Sequence, residues 1–66
     1  MRSNLIALRK ELGLTQKEFG LLFKKSSQHI SNIENNRENG STDMWLDIGL
    51  KFNLSVKQVK KLMEVS

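Results

Sequence analysis

The 66-residue sequence predicts an all-α fold, one domain spanning residues 1–66 and built of five short helices. Three observations predict it. Apolar residues recur three or four positions apart and never alternate over the length of a strand. Cap-type residues (Ser, Thr, Asn, Gly) separate these stripes at short intervals. No Pro interrupts any of them, and no internal repeat or low-complexity stretch divides the chain.

The first segment runs from about Ser3 to Leu12, with Leu5, Leu8 and Leu12 as its apolar stripe. Gly13 follows as a stop that takes positive φ cheaply. Thr15 opens the second helix with Glu18 three residues on, a capping box in which each side chain satisfies a backbone donor at the helix start. Phe19 and Phe23, four apart, mark its buried face. Ser26 caps a third helix carrying Ile30 and Ile33 inward, and Asn35, Asn36, Asn39 and Gly40 form a polar connection. Ser41 or Thr42 opens a fourth helix with Trp45, Ile48 and Phe52 on its apolar face and Leu46 and Gly49 alongside. Asn53 is the expected left-handed terminator, because Asn tolerates positive φ better than other residues with a Cβ. Ser55 with Gln58 forms a second capping box and starts a last helix through Val59, Leu62 and Met63.

Composition narrows the function. Lys and Arg total 11 against 7 Asp and Glu, a net charge of +4. Such an excess attracts polyanions, but a plain basic surface explains it equally well. There is no Cys and one His, so neither disulfides nor a metal cluster is expected to hold a domain whose size makes folding marginal. Neither a membrane-spanning run nor a signal peptide is present. With the absence of Cys, this points to the cytoplasm. An enzyme is not expected: His29 has no acid partner in a cleft, the Ser residues lack a base, and no Gly-rich phosphate loop exists.

The third helix carries the informative pattern. Placed on a wheel at about 100° per residue, Ile30, Ile33 and Glu34 share the inward side. Gln28, Asn32, Asn35 and Ser31 lie opposite, flanked by Ser27 and His29. That outward face holds amides and hydroxyls and, within the helix, no carboxylate. A solvated helix in a basic protein normally shows Glu and Lys pairs there. A side-chain amide instead offers a donor and an acceptor in one plane, which matches the major-groove edge of adenine. An ordinary polar surface is the competing explanation.

Two buried aromatics, a short link and a second helix with an uncharged polar face describe a helix-turn-helix at Thr15–Asn35. The segment LGLTQKEFGLLFKKSSQHISNIENNR, Leu12 to Arg37, resembles the helix-turn-helix of the lambda-repressor and Cro-type (XRE) regulators. LIALRKELGLTQ before it and STDMWLDIGLKFNLSVKQVKKL after it extend the likeness to about 60 of the 66 residues. The Thr-Gln pair, the Ile-x-x-Ile-Glu-Asn run and the Leu-Ser-Val restart agree in type and spacing.

The resemblance implies a compact lambda-repressor-like DNA-binding domain, with Ser27, Gln28 and Asn32 reading base edges and Ser31 a weaker candidate. It implies a phosphate-holding set of Gln16, Lys17, Lys24, Lys25, Ser26, Asn35, Asn36 and Arg37. It also implies an Arg9–Glu34 pair tying the first helix to the third; the competing explanation is two unrelated surface charges. Glu34 falls on the inward face, and a buried carboxylate without a partner is costly.

Some positions depart from the family pattern. The turn position usually held by Gly is Lys24, at a cost of about 1 kcal/mol. The apolar position after it is Lys25, whose stem can lie over the core while its ammonium reaches a phosphate. A distorted or lengthened turn, moving the assignments by one residue, is the alternative. Gly20 replaces the usual Ala where the two helices cross, and Asn36 stands in for a Gly.

Leu21, Leu22 and Leu50 are apolar positions that the wheels do not clearly bury. The last helix offers more apolar surface than one domain needs, at Val56, Val59, Leu62, Met63 and Val65. Together with the family's habit, this gives an expected homodimer with its two reading helices about 34 Å apart on a palindromic double-stranded operator. With no room for a sensor domain, no cofactor or small-molecule ligand is expected. The expected role is a repressor acting by operator occupancy, relieved by dilution, proteolysis or an antirepressor. An antitoxin or adaptor that binds a toxin or other protein, and DNA only secondarily, is the alternative. RNA binding is disfavoured because the four aromatics fall on core stripes. Membrane association is disfavoured because no helix joins a basic face to a large free apolar one.

Overall fold

Side-chain caps set where four of the five helices begin. In the computed structural model, which describes all 66 residues, the chain forms α1 (Ser3–Glu11), α2 (Gln16–Leu22), α3 (Ser27–Glu34), α4 (Thr42–Lys51) and α5 (Val56–Met63). Thr15, Ser26, Ser41 and Ser55 each accept a hydrogen bond from the backbone N–H three residues on. Both capping boxes close, with Glu18 and Gln58 reaching back to the N–H of Thr15 and Ser55. Bonding to Thr15 holds the Glu18 carboxyl below the usual carboxylate range. The stabilisation from this bond is therefore complete above that range and is lost as pH falls through the lowered value.

The left-handed positions lie between the helices, at Gly13 (φ 71°), Lys24 (56°), Asn36 (60°), Gly40 (75°) and Asn53 (53°). Lys24 occupies the turn conformation normally given to glycine, so α3 starts in the expected register and the turn is not lengthened. Gly20 explains how the turn fits. A Cβ there would overlap the carbonyl oxygen of Lys25, whose own N–H donates to the Gly20 carbonyl at 2.8 Å. The close crossing of α2 and α3 depends on the missing side chain.

The core sits where the five helices converge. Phe19 and Phe23 of α2 meet edge to face at 5.1 Å, and Phe52, capping the C-terminus of α4, stacks on Phe19 at 6.2 Å. Such pairs add about 0.5–1.5 kcal/mol each to simple burial. Leu5, Ile30, Ile33, Trp45 and Ile48 complete the anticipated core. The Trp45 indole donates to the Asn39 carbonyl at 3.0 Å, fastening the α3–α4 connection.

Four assignments change. α1 ends at Glu11, and Leu12, expected on its stripe, is 42% exposed. The helical wheel stops applying once the chain turns at Gly13, and Leu14 packs against the core instead. Met44, not assigned from the sequence, is 2% exposed under the α3–α4 connection. Leu46, set beside the apolar face, is 59% exposed. Arg2, next to the N-terminus, is buried at 4%.

Arg2 closes the bundle from below. Its Nη1 donates to the carbonyls of Ile33 (2.7 Å) and Glu38 (3.0 Å), and its Nε to that of Met63 (3.1 Å). Its guanidinium lies 5.8 Å from the Trp45 ring centroid. One side chain thus reaches carbonyls at the ends of α3 and α5 and within the loop after α3; the Ile33 carbonyl also accepts from the Asn36 N–H, while those of Glu38 and Met63 have no backbone donor. No helix is long and apolar enough to cross a membrane.

Candidate nucleic-acid interface

α3 is held from beneath by charge. Arg9 Nε lies 2.6 Å from Glu34 Oε2, and Arg9 Nη2 donates to Oε1 at 3.3 Å. The Gln16 amide donates to the same Oε1 at 3.0 Å, and Arg9 Nη1 reaches the Leu14 carbonyl at 2.9 Å. Glu34 is 2% exposed, yet its carboxylate accepts from two elements at once. The inner side of α3 is therefore fixed to α1 and to the start of α2, and its outer side is presented rigidly.

On that outer side Ser27 and Gln28 are exposed, while Ser31 and Asn32 are half-buried. The two amides pair along the helix, Gln28 Nε2 donating to Asn32 Oδ1 at 3.0 Å. Asn32 Nδ2 in turn donates to Glu38 Oε2 at 3.1 Å, and His29 Nδ1 lies 3.2 Å from that oxygen. The face expected to be free of carboxylates thus acquires one from outside the helix. The cause is the turn at Asn36. Both Arg37 N–H (2.7 Å) and Glu38 N–H (3.3 Å) fold back onto the Asn32 carbonyl, and this places Glu38 beside the helix it has just left.

The residues assigned to phosphate surround this face unevenly. Lys17, Lys24, Ser26, Asn35, Asn36 and Arg37 are exposed, and Lys25 is half-buried as expected of a stem lying on the core. Ser26 Oγ accepts the cap bond from His29 N–H and keeps its own hydrogen free to donate. Asn35 Nδ2 returns to the Ser31 carbonyl at 2.9 Å. Gln16 is the exception. Its amide nitrogen is turned to Glu34, so one of its two amide hydrogens completes the Arg9–Glu34 cluster.

A second exposed surface lies across α4 and α5. Leu46 (59%), Leu50 (81%), Val56 (74%) and Met63 (41%) stand open around a groove of ≈ 550 Å³ floored by Trp45 and half-buried Val59. Of the residues assigned to a dimer interface, Leu62 is displaced from that role. It is 8% exposed and belongs to the core, because α1 packs against α5 on that side. Leu46 and Leu50 enlarge the surface instead. Leu50 and Leu21 (67%) are free, and Leu22 is 38% exposed.

Neither Arg2 nor Glu38 was assigned from the sequence. The available signal for Glu38 was a carboxylate just beyond an amide-rich helix, at a position where Asn36 turns the chain back. No group of three or more His, Cys, Asp or Glu side chains converges to hold a metal ion.

A short α2, a left-handed turn and a braced α3 with an outward amide pair reproduce the helix-turn-helix geometry. No curated protein and no solved structure matches the chain significantly. The family model for the helix-turn-helix matches residues 5–56, which runs from the core Leu5 of α1 through the first residue of α5. On this match the chain belongs to the Cro/C1-type helix-turn-helix (XRE) family of DNA-binding regulators.

Proposed function

We propose that the protein binds duplex DNA as a homodimer with α3 in the major groove and represses transcription by occupying its operator. The observation that carries the reading is the hydrogen-bonded Gln28–Asn32 pair on the outer side of a helix braced by a buried ion pair. Rigid, oriented amides are what adenine readout requires. Ser27 and Ser31 lie beside them. Lys17, Lys24, Lys25, Ser26, Asn35, Asn36 and Arg37 supply phosphate contacts that set register without reading sequence.

The dimer is a second copy joined across the α4–α5 surface, through Leu46, Leu50, Val56, Val59 and Met63. Three of these are more than half exposed, and a two-fold pairing gives that surface a partner while setting two α3 helices on one duplex. The same surface supports a second reading, in which an antirepressor or toxin protein is its occupant.

Selection of bound duplexes from a random library, run beside the Gln28→Ala, Asn32→Ala double variant, tests the proposal. An enriched palindrome with half-sites about one turn apart, lost in the variant, is the expected result. An enriched single half-site would assign the α4–α5 surface to a different protein. No enrichment from a folded protein would overturn sequence reading by α3. Individually, Gln28→Ala and Asn32→Ala should each cost about 1–3 kcal/mol at the selected site and relax preference at one position.

Phosphate contacts should behave differently. Lys25→Ala or Arg37→Ala should weaken binding to selected and random duplexes alike and lower the salt slope by about one unit. A titration across salt concentrations separates the two classes. Repression itself is tested by a reporter fused to the selected operator, whose activity should fall when the protein is supplied and recover with the double variant.

A further inference from the structure

Glu38 lies outside α3, yet it ends a chain of hydrogen bonds that runs across the reading face. We infer that Glu38 is a positioning residue that fixes the amide polarity of Asn32, and through it that of Gln28, so that the pair selects adenine. The inference rests on α3 being the reading helix.

An ionised carboxylate only accepts hydrogen bonds, whereas a side-chain amide can present either its oxygen or its NH₂ group. Glu38 Oε2, 3.1 Å from Asn32 Nδ2, admits only the NH₂ end of Asn32. His29 Nδ1 lies 3.2 Å from the same oxygen. Asn32 must then offer Oδ1 to Gln28, which answers with Nε2 at 3.0 Å. The order donor, acceptor, donor, acceptor is propagated from a charge that cannot reverse it.

The outcome at Gln28 is specific. Oε1 and the second Nε2 hydrogen remain for the groove, one acceptor beside one donor. Adenine presents the complementary N6 donor and N7 acceptor, while guanine presents two acceptors, O6 and N7. Were the relay free to flip, Gln28 would spend its oxygen on Asn32 and face the groove with NH₂ alone, which suits guanine. Glu38 therefore acts on base choice without touching a base. It also places a negative charge near the phosphates, so it weakens binding to DNA of any sequence.

The test compares the parent, Glu38→Gln and Gln28→Ala by measuring affinity for the selected duplex and for versions with each position substituted in turn. A carboxamide at 38 is nearly the same size and bonds to Asn32 in either polarity. A bidentate amide–adenine contact discriminates by about 5- to 150-fold. Glu38→Gln should cut that preference at least three-fold at the position Gln28 reads, with a gain for guanine, while affinity for random DNA rises. Glu38 is 45% exposed, so the thermal midpoint should stay within a few degrees of the parent. An unchanged preference in Glu38→Gln, with Gln28→Ala losing it, would overturn the role of Glu38 alone. An unchanged preference in Gln28→Ala would overturn both this role and the assignment of the reading helix.

Discussion

Glu34→Ala should destabilise the domain by about 3–5 kcal/mol, because it leaves the Arg9 guanidinium, only 11% exposed, without its counter-charge. Gln16 would lose its acceptor at the same time, since its amide donates to the same carboxylate. A domain of this length holds roughly 3–10 kcal/mol in all, so the loss is a large fraction of the total stability. Urea denaturation measures this directly. The contrast that identifies the cause is Arg9→Met with Glu34→Leu, an apolar pair of similar reach. It should recover most of the loss, because removing both charges removes the desolvation problem along with the attraction. A single-variant loss below about 1 kcal/mol would mean that the pair behaves as a solvated surface contact.

Arg2→Ala should cost about 2–4 kcal/mol, through the Glu38 and Met63 carbonyls deprived of their donor, a bond lost at Ile33, and a Trp45 face left uncovered. For a chain of this size that corresponds to a fall of roughly 10–25 °C in Tm. Arg2→Lys should recover only part, since one ammonium cannot span acceptors on Ile33, Glu38 and Met63 as a planar fork does. Calorimetry of the three proteins checks the order parent, Lys, Ala. Equal midpoints for Lys and Ala would show that the fork geometry is what matters. Equal midpoints for parent and Ala would reduce Arg2 to a surface charge.

These two arginines also show what could be read from the sequence and what could not. Arg9 and Glu34 were legible through the family resemblance, which implies the pair, and the wheel supports it by turning Glu34 inward. Arg2 left no such trace. Its acceptors are backbone carbonyls at the ends of α3 and α5 and in the loop after α3, and a carbonyl has no residue type by which it can be anticipated.

The caps at Thr15, Ser26, Ser41 and Ser55 and the left-handed Asn53 were legible because each expresses a local rule within four residues, whereas Lys24 and Asn36 were placed at glycine positions only by the family resemblance. Leu12 and Glu38 were not, for one shared reason: a helical wheel describes only residues that continue the helix. Leu12 falls off the stripe when the chain turns at Gly13, and Glu38 returns to the face of α3 after Asn36 reverses it. Leu62 was legible as apolar but not as internal, since its burial depends on where α1 packs.

The pairing of Gly20 with Lys24 has a consequence for the substitutions open to this sequence. Lys25 approaches α2 so closely that any side chain at 20 would force the turn to move, while Lys24 already occupies a backbone region that favours glycine. The two positions are therefore not free to vary independently. A change at 20 is more tolerable after position 24 has become glycine and the turn has gained backbone freedom. Substitution at 20 and at 24 is therefore coupled through the backbone of the turn, not through any contact between their side chains.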